Sequence, residues 1–147
     1  MRLTILAIGK ARGSVADLYA DYAKRIVPVP VLKEIECRPA TQAREETALL
    51  NAIPAQAIVI ACDERGKNLN SLQFASHYRT WIESGASDLV FILGGADGLT
   101  DVLRQRAQLL ISFGQLTWPH MLARVMLIEQ IYRAQQINAG HPYHRGN

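Results

Sequence analysis

Long apolar runs are absent from this sequence: stretches such as Val125-Met126-Leu127-Ile128 stop far short of the roughly 20 residues a membrane-spanning helix needs, so no bilayer span is expected. Cysteine is scarce. Cys37 and Cys62 sit in separate apolar segments with no CxxC pair or Cys/His cluster, which removes a zinc site or a disulfide framework and points to a reducing cytoplasm. Charge is also sparse, at 20% of residues, and 16 Lys+Arg against 13 Asp+Glu leave a net of only +3 with a pI near 9.1. That balance permits a polyanionic partner without establishing one. Because 49% of residues are hydrophobic and fall in organised blocks, the low charge also excludes disorder. No internal repeat, low-complexity tract, interdomain linker, Ser-His-Asp order or metal-ligand spacing occurs. The 147 residues are expected to form one domain, 1–147, around one core. The apolar stretch at Met1–Gly9 is too short for a signal-peptide core and lacks a small-x-small site, so it reads as mature structure.

What the chain does have is five apolar segments alternating with five amphipathic ones. Leu3–Gly9 is the first expected strand. After a turn at Gly13, Ser14 and Asp17 resemble a capping box, and Val15, Leu18, Tyr19, Tyr22 and Ile26 keep helical spacing up to Pro28. Val31–Cys37, with Lys33, Glu34 and Glu36, reads as an edge strand. A helix from Thr41 to about Ala52 precedes Ala57–Cys62, an apolar run suited to burial on both faces. Asp63–Asn70 is expected to be a polar loop. A helix over Ser71–Ser84 follows, packing through Leu72, Ala75, Trp81 and Ile82, with Gly85 as its C′ residue. Then come a strand at Leu89–Leu93, a helix near Thr100–Leu109, a strand near Leu110–Phe113 and a helix over Pro119–Ala139. This alternation predicts an α/β three-layer sandwich around a mainly parallel five-stranded sheet. Ligands in such sheets bind beyond the C-terminal strand ends, which singles out the loops after Cys62, Leu93 and Phe113.

Gly94-Gly95-x-x-Gly98 lies at one of those ends, where missing Cβ atoms would let backbone approach a ligand; the same glycines equally serve a tight turn. They follow the fourth strand, unlike a dinucleotide fingerprint, and Gly9–Ser14 lacks the GK[ST] of a Walker A loop. The loop Ser112–His120 could offer backbone groups to an adenine edge with Leu116 and Trp118 as walls, or Trp118 could be a core aromatic and Pro119 a helix starter. The tail His141-Pro142-Tyr143-His144-Arg145 gathers groups suited to phosphate contact, stacking and proton transfer, against the ordinary expectation that a tail frays. The last helix carries apolar residues around more than one stripe, which implies burial on two sides and contact with another subunit. Glu129 and Arg133 are an i,i+4 pair, and Arg124 or Arg133 could instead reach a phosphate. Asp97 is either an acid-base group or a turn residue.

In order and content these blocks resemble the RlmH family, the SPOUT-class methyltransferases that modify N3 of a pseudouridine in large-subunit rRNA. The resemblance rests on Leu3-Thr4-Ile5-Leu6-Ala7-Ile8-Gly9-Lys10, on Phe91-Ile92-Leu93-Gly94-Gly95-Ala96-Asp97-Gly98-Leu99 and above all on the C-terminal blocks. These are Leu116-Thr117-Trp118-Pro119-His120, Arg124-Val125, Leu127–Ala134 and His141–Arg145. It implies S-adenosyl-L-methionine as methyl donor, a homodimer, a C-terminal trefoil knot and the ribosome as partner, without metal or membrane. It also implies cofactor contacts from Cys62, Gly94 and the loop Phe113, Gly114, Gln115, Leu116, Thr117 and Trp118. Cys62 stands where the family looks like leucine, and Ala96-Asp97 where it has a Pro-Glu type of pair. Following the resemblance, Arg133, Tyr143, His144 and Arg145 are expected to surround the target nucleotide, the arginines holding phosphates and Tyr143 or His144 stacking or assisting deprotonation. A methyltransferase acting on tRNA and a non-catalytic nucleotide- or RNA-binding module are the alternatives.

The small positive charge is unevenly spread. Arg2, Lys10, Arg12, Lys24 and Arg25 face only Asp17 and Asp21 at the start, and Arg104, Arg106, Arg124, Arg133 and Arg145 face only Glu129 at the end, near His120, His141 and His144. If a dimer brings one subunit's tail near its partner's first helix, the two ends would form one RNA-facing surface.

Overall fold

A computed structural model describes residues 1–146. Its elements run β1 (Arg2–Ile8), α1 (Gly13–Ala23), β2 (Val31–Ile35), α2 (Gln42–Ala52), β3 (Ile58–Lys67), α3 (Ser71–Glu83), β4 (Asp88–Leu93), α4 (Asp101–Arg106), β5 (Leu109–Ile111) and α5 (His120–Asn138). The five strands form one sheet in the order β2-β1-β4-β3-β5, with every pairing parallel. β1, β4 and β3 are central and covered on both faces, which is why their sequences run apolar rather than alternate. Leu3, Ile5, Ala7, Leu89, Phe91 and Leu93 point into one core, while Leu6, Ile8, Val90 and Ile92 point into the other. The first core is closed by α1, α3 and α5, the second by α2 and α4. Each fully buried Leu, Ile or Phe contributes about 1.5–3 kcal/mol relative to exposure. Among the described residues no helix is long and apolar enough to cross a membrane.

Several local expectations change. β3 does not stop at Cys62: Cys62 and Lys67 both pair with Ile111, so residues 63–66 bulge out of the ladder before pairing resumes. Polar side chains hid this strand because its pairing is made by backbone at the sheet edge. Gly66 is required there, since a Cβ would lie 2.6 Å from backbone atoms of Ile111. No capping box forms at Ser14; Arg12 is the N-cap without a side-chain bond, and the nearby Ala11 N–H donates to Glu34 at 2.6 Å. The reciprocal box is found on α3, between Asn70 and Gln73. α1 ends at Ala23, although Ile26 beyond it is still fully buried. Leu72 and Ile82 face solvent, leaving Phe74, Ala75, Tyr78 and Trp81 to pack α3. α4 and β5 are shorter than expected.

Much of the two-sided burial of α5 is supplied within one chain. Its buried apolar residues divide between α1 and α3, where Leu127, Ile128 and Ile131 are inaccessible, while Leu122 stays exposed. Arg124 is buried too, not aimed at a phosphate: it donates to the carbonyls of Ile8 (3.1 Å) and Gly9 (3.0 Å) and to Glu34 (2.6 Å). After β5 at one sheet edge the chain therefore returns across the strand ends to β1 and β2 at the other. That path and the strand order agree with the C-terminal trefoil knot that the resemblance implies.

Candidate functional site

A cleft of about 620 Å³ opens at the C-terminal ends of β3, β4 and β5. Its walls are the β3 bulge from Cys62 to Arg65, the turn from Leu93 to Asp101, and the loop after β5 with His120 beyond it. These are the three loops that the parallel-sheet argument selects.

Cys62 lines the cleft with a thiol pushed up to about 12, first by burial and then by Asp63, so it is a neutral, unreactive group. Gly94 lines it as well, yet its missing Cβ is needed by the turn itself. A Cβ there would stand 2.9 Å from the carbonyl carbon of Gly98, whose N–H donates back to Gly95 at 3.0 Å. Phe113, Gly114, Leu116, Thr117 and Trp118 line the third wall; Gln115 is exposed and lies outside the lining. The loop is held by its own bonds. Ser112 donates to the Gly114 carbonyl (2.9 Å) and accepts from its N–H (3.2 Å), Gly114 adopts φ +106°, and the Trp118 indole donates to the Phe113 carbonyl (3.1 Å). Leu116 remains 75% exposed beside the cleft. A rigid backbone edge with uncovered apolar side chains is a recess for a flat ring.

Two charged groupings of the cleft escaped sequence reasoning. Arg104 bridges the rim, donating to Asp63 (3.2 Å), to the Leu99 carbonyl and to Asp101, whose carboxyl it holds below the usual range through that hydrogen bond. Glu45 of α2 is buried under the glycine turn; its carboxyl oxygens lie 3.4 Å from where a Gly95 Cβ would be, and its Oε1 has no hydrogen-bond partner. Burial foremost, then the charge of Asp97, raises its pKa, with His120 opposing. Both depend on partners distant in sequence, Asp63 for Arg104 and Asp97 with His120 for Glu45, so no local motif marks them. Asp97 accepts from Gln42 through its carbonyl at 3.1 Å.

The tail residues gather elsewhere. Tyr143 donates to Glu129 at 3.1 Å, and Arg133 donates to the same carboxylate through Nε (2.9 Å) and Nη2 (2.6 Å). The Arg133 Nη1 meets Nδ1 of His144 at 2.9 Å, and its guanidinium lies 4.9 Å above the Tyr143 ring. Burial, with Glu129 reinforcing it, pushes the Tyr143 phenol up to about 12, so near neutral pH it is a donor and not a base. Arg145 is exposed. Tyr143 stands edge-on to Tyr132 (4.8 Å), which is 6.3 Å from Tyr22, and Arg25 lies 5.9 Å from both of the latter rings. The tail is thus folded onto α5 of its own chain, and Tyr132 of that helix carries the ring array on to Tyr22 of α1. Arg25 from the basic start and Arg133 from the basic end thereby share one face within a single chain. None of Arg133, Tyr143, His144 and Arg145 lines the cleft. Arg133 follows His120 by more than three turns of α5, about 20 Å at 1.5 Å per residue.

Comparison with known proteins gives concordant results. A family model described as "Predicted SPOUT methyltransferase" matches residues 1–144. Proteins named ribosomal RNA large subunit methyltransferase H from Paramagnetospirillum magneticum and Rhodospirillum centenum are each 50% identical over 151 residues, covering 99% of both chains. One of the same name from Nitrobacter winogradskyi is 44% identical over 160 residues, covering 99% of this chain and all of its own. The crystal structure of the SpoU methyltransferase AviRb from Streptomyces viridochromogenes, in complex with the cofactor AdoMet, superposes with a TM-score of 0.50 at 11% identity. It covers 92% of this chain, which spans 58% of that one, and it bears on the fold alone.

Proposed function

Because the chain belongs to the SPOUT methyltransferase family, we propose that it transfers a methyl group from S-adenosyl-L-methionine to N3 of a pseudouridine in large-subunit rRNA, acting as a homodimer of single-domain subunits on the ribosome. The observation that carries this reading is the strand-end cleft: its three loops are those the parallel sheet selects, in a chain 50% identical along its length to rRNA large subunit methyltransferases. Its volume is in the range of small-molecule sites. Leu116 and Trp118 suit the faces of an adenine, the backbone of 113–118 its polar edge, and the Gly94 turn a close approach of main chain. The bound donor would supply a methyl already activated on a sulfonium. What the protein must then do is align that methyl with N3 and assist loss of the imide proton, a task of positioning and electrostatics.

Arg133, Tyr143, His144 and Arg145 form the nucleotide side of the site in this reading. Glu129 orients Arg133 and Tyr143, and Arg133 in turn holds His144. Tyr143 enters as a hydrogen-bond donor or stacking ring, and His144 as a ring that stacks on the base or assists its deprotonation. Reacting atoms must come within about 3–3.5 Å, and the tail stands several turns of α5 away from its own cleft, so the tail that serves a cleft is the one from the second subunit.

The test is methylation of ribosomes, free rRNA and tRNA by the full chain and by a chain lacking residues 141–147, with the modified base located by mass mapping. Ribosomal activity in the full chain, lost at least a hundredfold in the shortened one while S-adenosylmethionine still binds, is the expected result. Activity on tRNA alone, or full activity without the tail, overturns the corresponding part of the reading.

A further inference from the structure

Arg25 lies in the turn just past the end of α1, two residues beyond Ala23. Its guanidinium sits 5.9 Å from the centroids of both Tyr22 and Tyr132, and through Tyr132 the array continues to Tyr143 and Arg133. Two cations and three phenol rings therefore form one continuous face, built from the first helix, the last helix and the tail. The two arginines differ in what their N–H groups do. Arg133 spends Nε and Nη2 on Glu129 and has Nη1 against His144. Arg25, which is exposed, makes no side-chain hydrogen bond or ion pair among the described residues, the neighbouring Asp21 being paired with Lys24 at 3.1 Å.

A guanidinium held over two rings by cation–π attraction is restrained in place while its donors stay open, an arrangement that suits a phosphate oxygen pair. Tyr22 and Tyr132 are both half-buried, so they brace the arginine while keeping part of each ring accessible. Among the described residues the carboxylate bonded within this face is Glu129, already matched by Arg133 and Tyr143. We propose that Arg25, braced by Tyr22 and Tyr132, is an RNA phosphate site, one that grips the strand next to the nucleotide held by Tyr143 and His144. This deepens the reading given above and rests on it: of the arginines expected to hold phosphate, Arg133 is committed to ordering the tail, and Arg25, just past α1, adds an open cation braced by two rings.

The experiment compares wild type, Arg25→Ala, Arg25→Lys and Arg25→Glu, each checked by thermal unfolding and by calorimetric titration with S-adenosylmethionine. Expected are unaltered folding and cofactor affinity and a KM for ribosomes raised about tenfold in Arg25→Ala. Arg25→Lys should be intermediate and Arg25→Glu worse. The slope of log affinity against log salt, measured with a single-stranded RNA covering the target region, should fall by about one, the signature of one lost phosphate contact. An unchanged KM and salt slope in both Arg25→Ala and Arg25→Glu overturns the assignment. Wild-type activity separates the two readings: a wild type that binds the RNA with an Arg25-dependent salt slope but methylates no ribosome refutes the proposed reaction and not the phosphate site. Equal loss of affinity for RNA and for anionic lipid vesicles would refute the choice of RNA.

Discussion

Glu45 is a carboxyl with little access to water and a like charge nearby. The groups facing it are Asp97 from the turn after β4 and His120 at the start of α5, while the Gly95 backbone closes over it. Its pKa in the folded state is raised, so the folded protein favours the protonated form more than the unfolded chain does. The stability associated with that proton is complete below the ordinary glutamate range and is lost as pH rises through the folded-state value. Urea unfolding of wild type and Glu45→Gln across pH 4–8 should show the wild-type midpoint declining relative to the variant as pH rises; parallel curves would refute this. The residue scale is also where the sequence told least. Cys62, Gly94 and the 113–118 loop were readable because a strand end and a glycine pair are local signals. Glu45, Arg104 and Arg25 were not, because each also depends on a partner from another element: Asp97 and His120 for Glu45, Asp63 for Arg104, Tyr132 for Arg25.

Elements were legible in proportion to how two-sided their burial is. β1, β3 and β4 have uninterrupted apolar runs because helices cover both faces, and the limits of β1 and β4 and the start of β3 were close. The continuation of β3 through Asp63, Glu64 and Arg65 was hidden, since an edge pairing made by main chain asks nothing of side chains. That bulge carries one wall of the cleft, so its integrity bears on the site. Gly66→Ala should push a methyl group into the Ile111 backbone and destabilise the fold by about 1–3 kcal/mol, the usual range for overpacking. Chemical denaturation measures the loss; a change within a few tenths of a kcal/mol would mean that the bulge adjusts freely. α5 illustrates a mixed case, in which α1 and α3 of the same chain cover Leu127, Ile128 and Ile131 while Leu122 of the same helix stays exposed.

At the scale of the whole molecule, cleft and tail are separate ends of one chain, and the dimeric reading makes each useful only to the other copy. Coexpression of a Gly94→Val chain, whose new side chain would strike the Gly98 backbone, with a chain lacking residues 141–147 tests this directly. Each alone should be inactive. Random pairing should restore roughly a quarter of wild-type activity, because half the dimers are mixed and each mixed dimer has one intact combination of cleft and tail. No recovery would mean that the tail serves its own cleft.

Arg124 also sets an order of events in time. Its partners Ile8, Gly9 and Glu34 belong to the first quarter of the chain, while the arginine itself emerges late in synthesis. Contacts of such sequence separation are slow to form, and a chain is made from its N-terminus onward. Until residue 124 has left the exit tunnel, the open ends of β1 and the Glu34 carboxylate lack the cation that joins them. The growing polypeptide therefore waits, incomplete at its leading strand, for nearly all of itself to be translated.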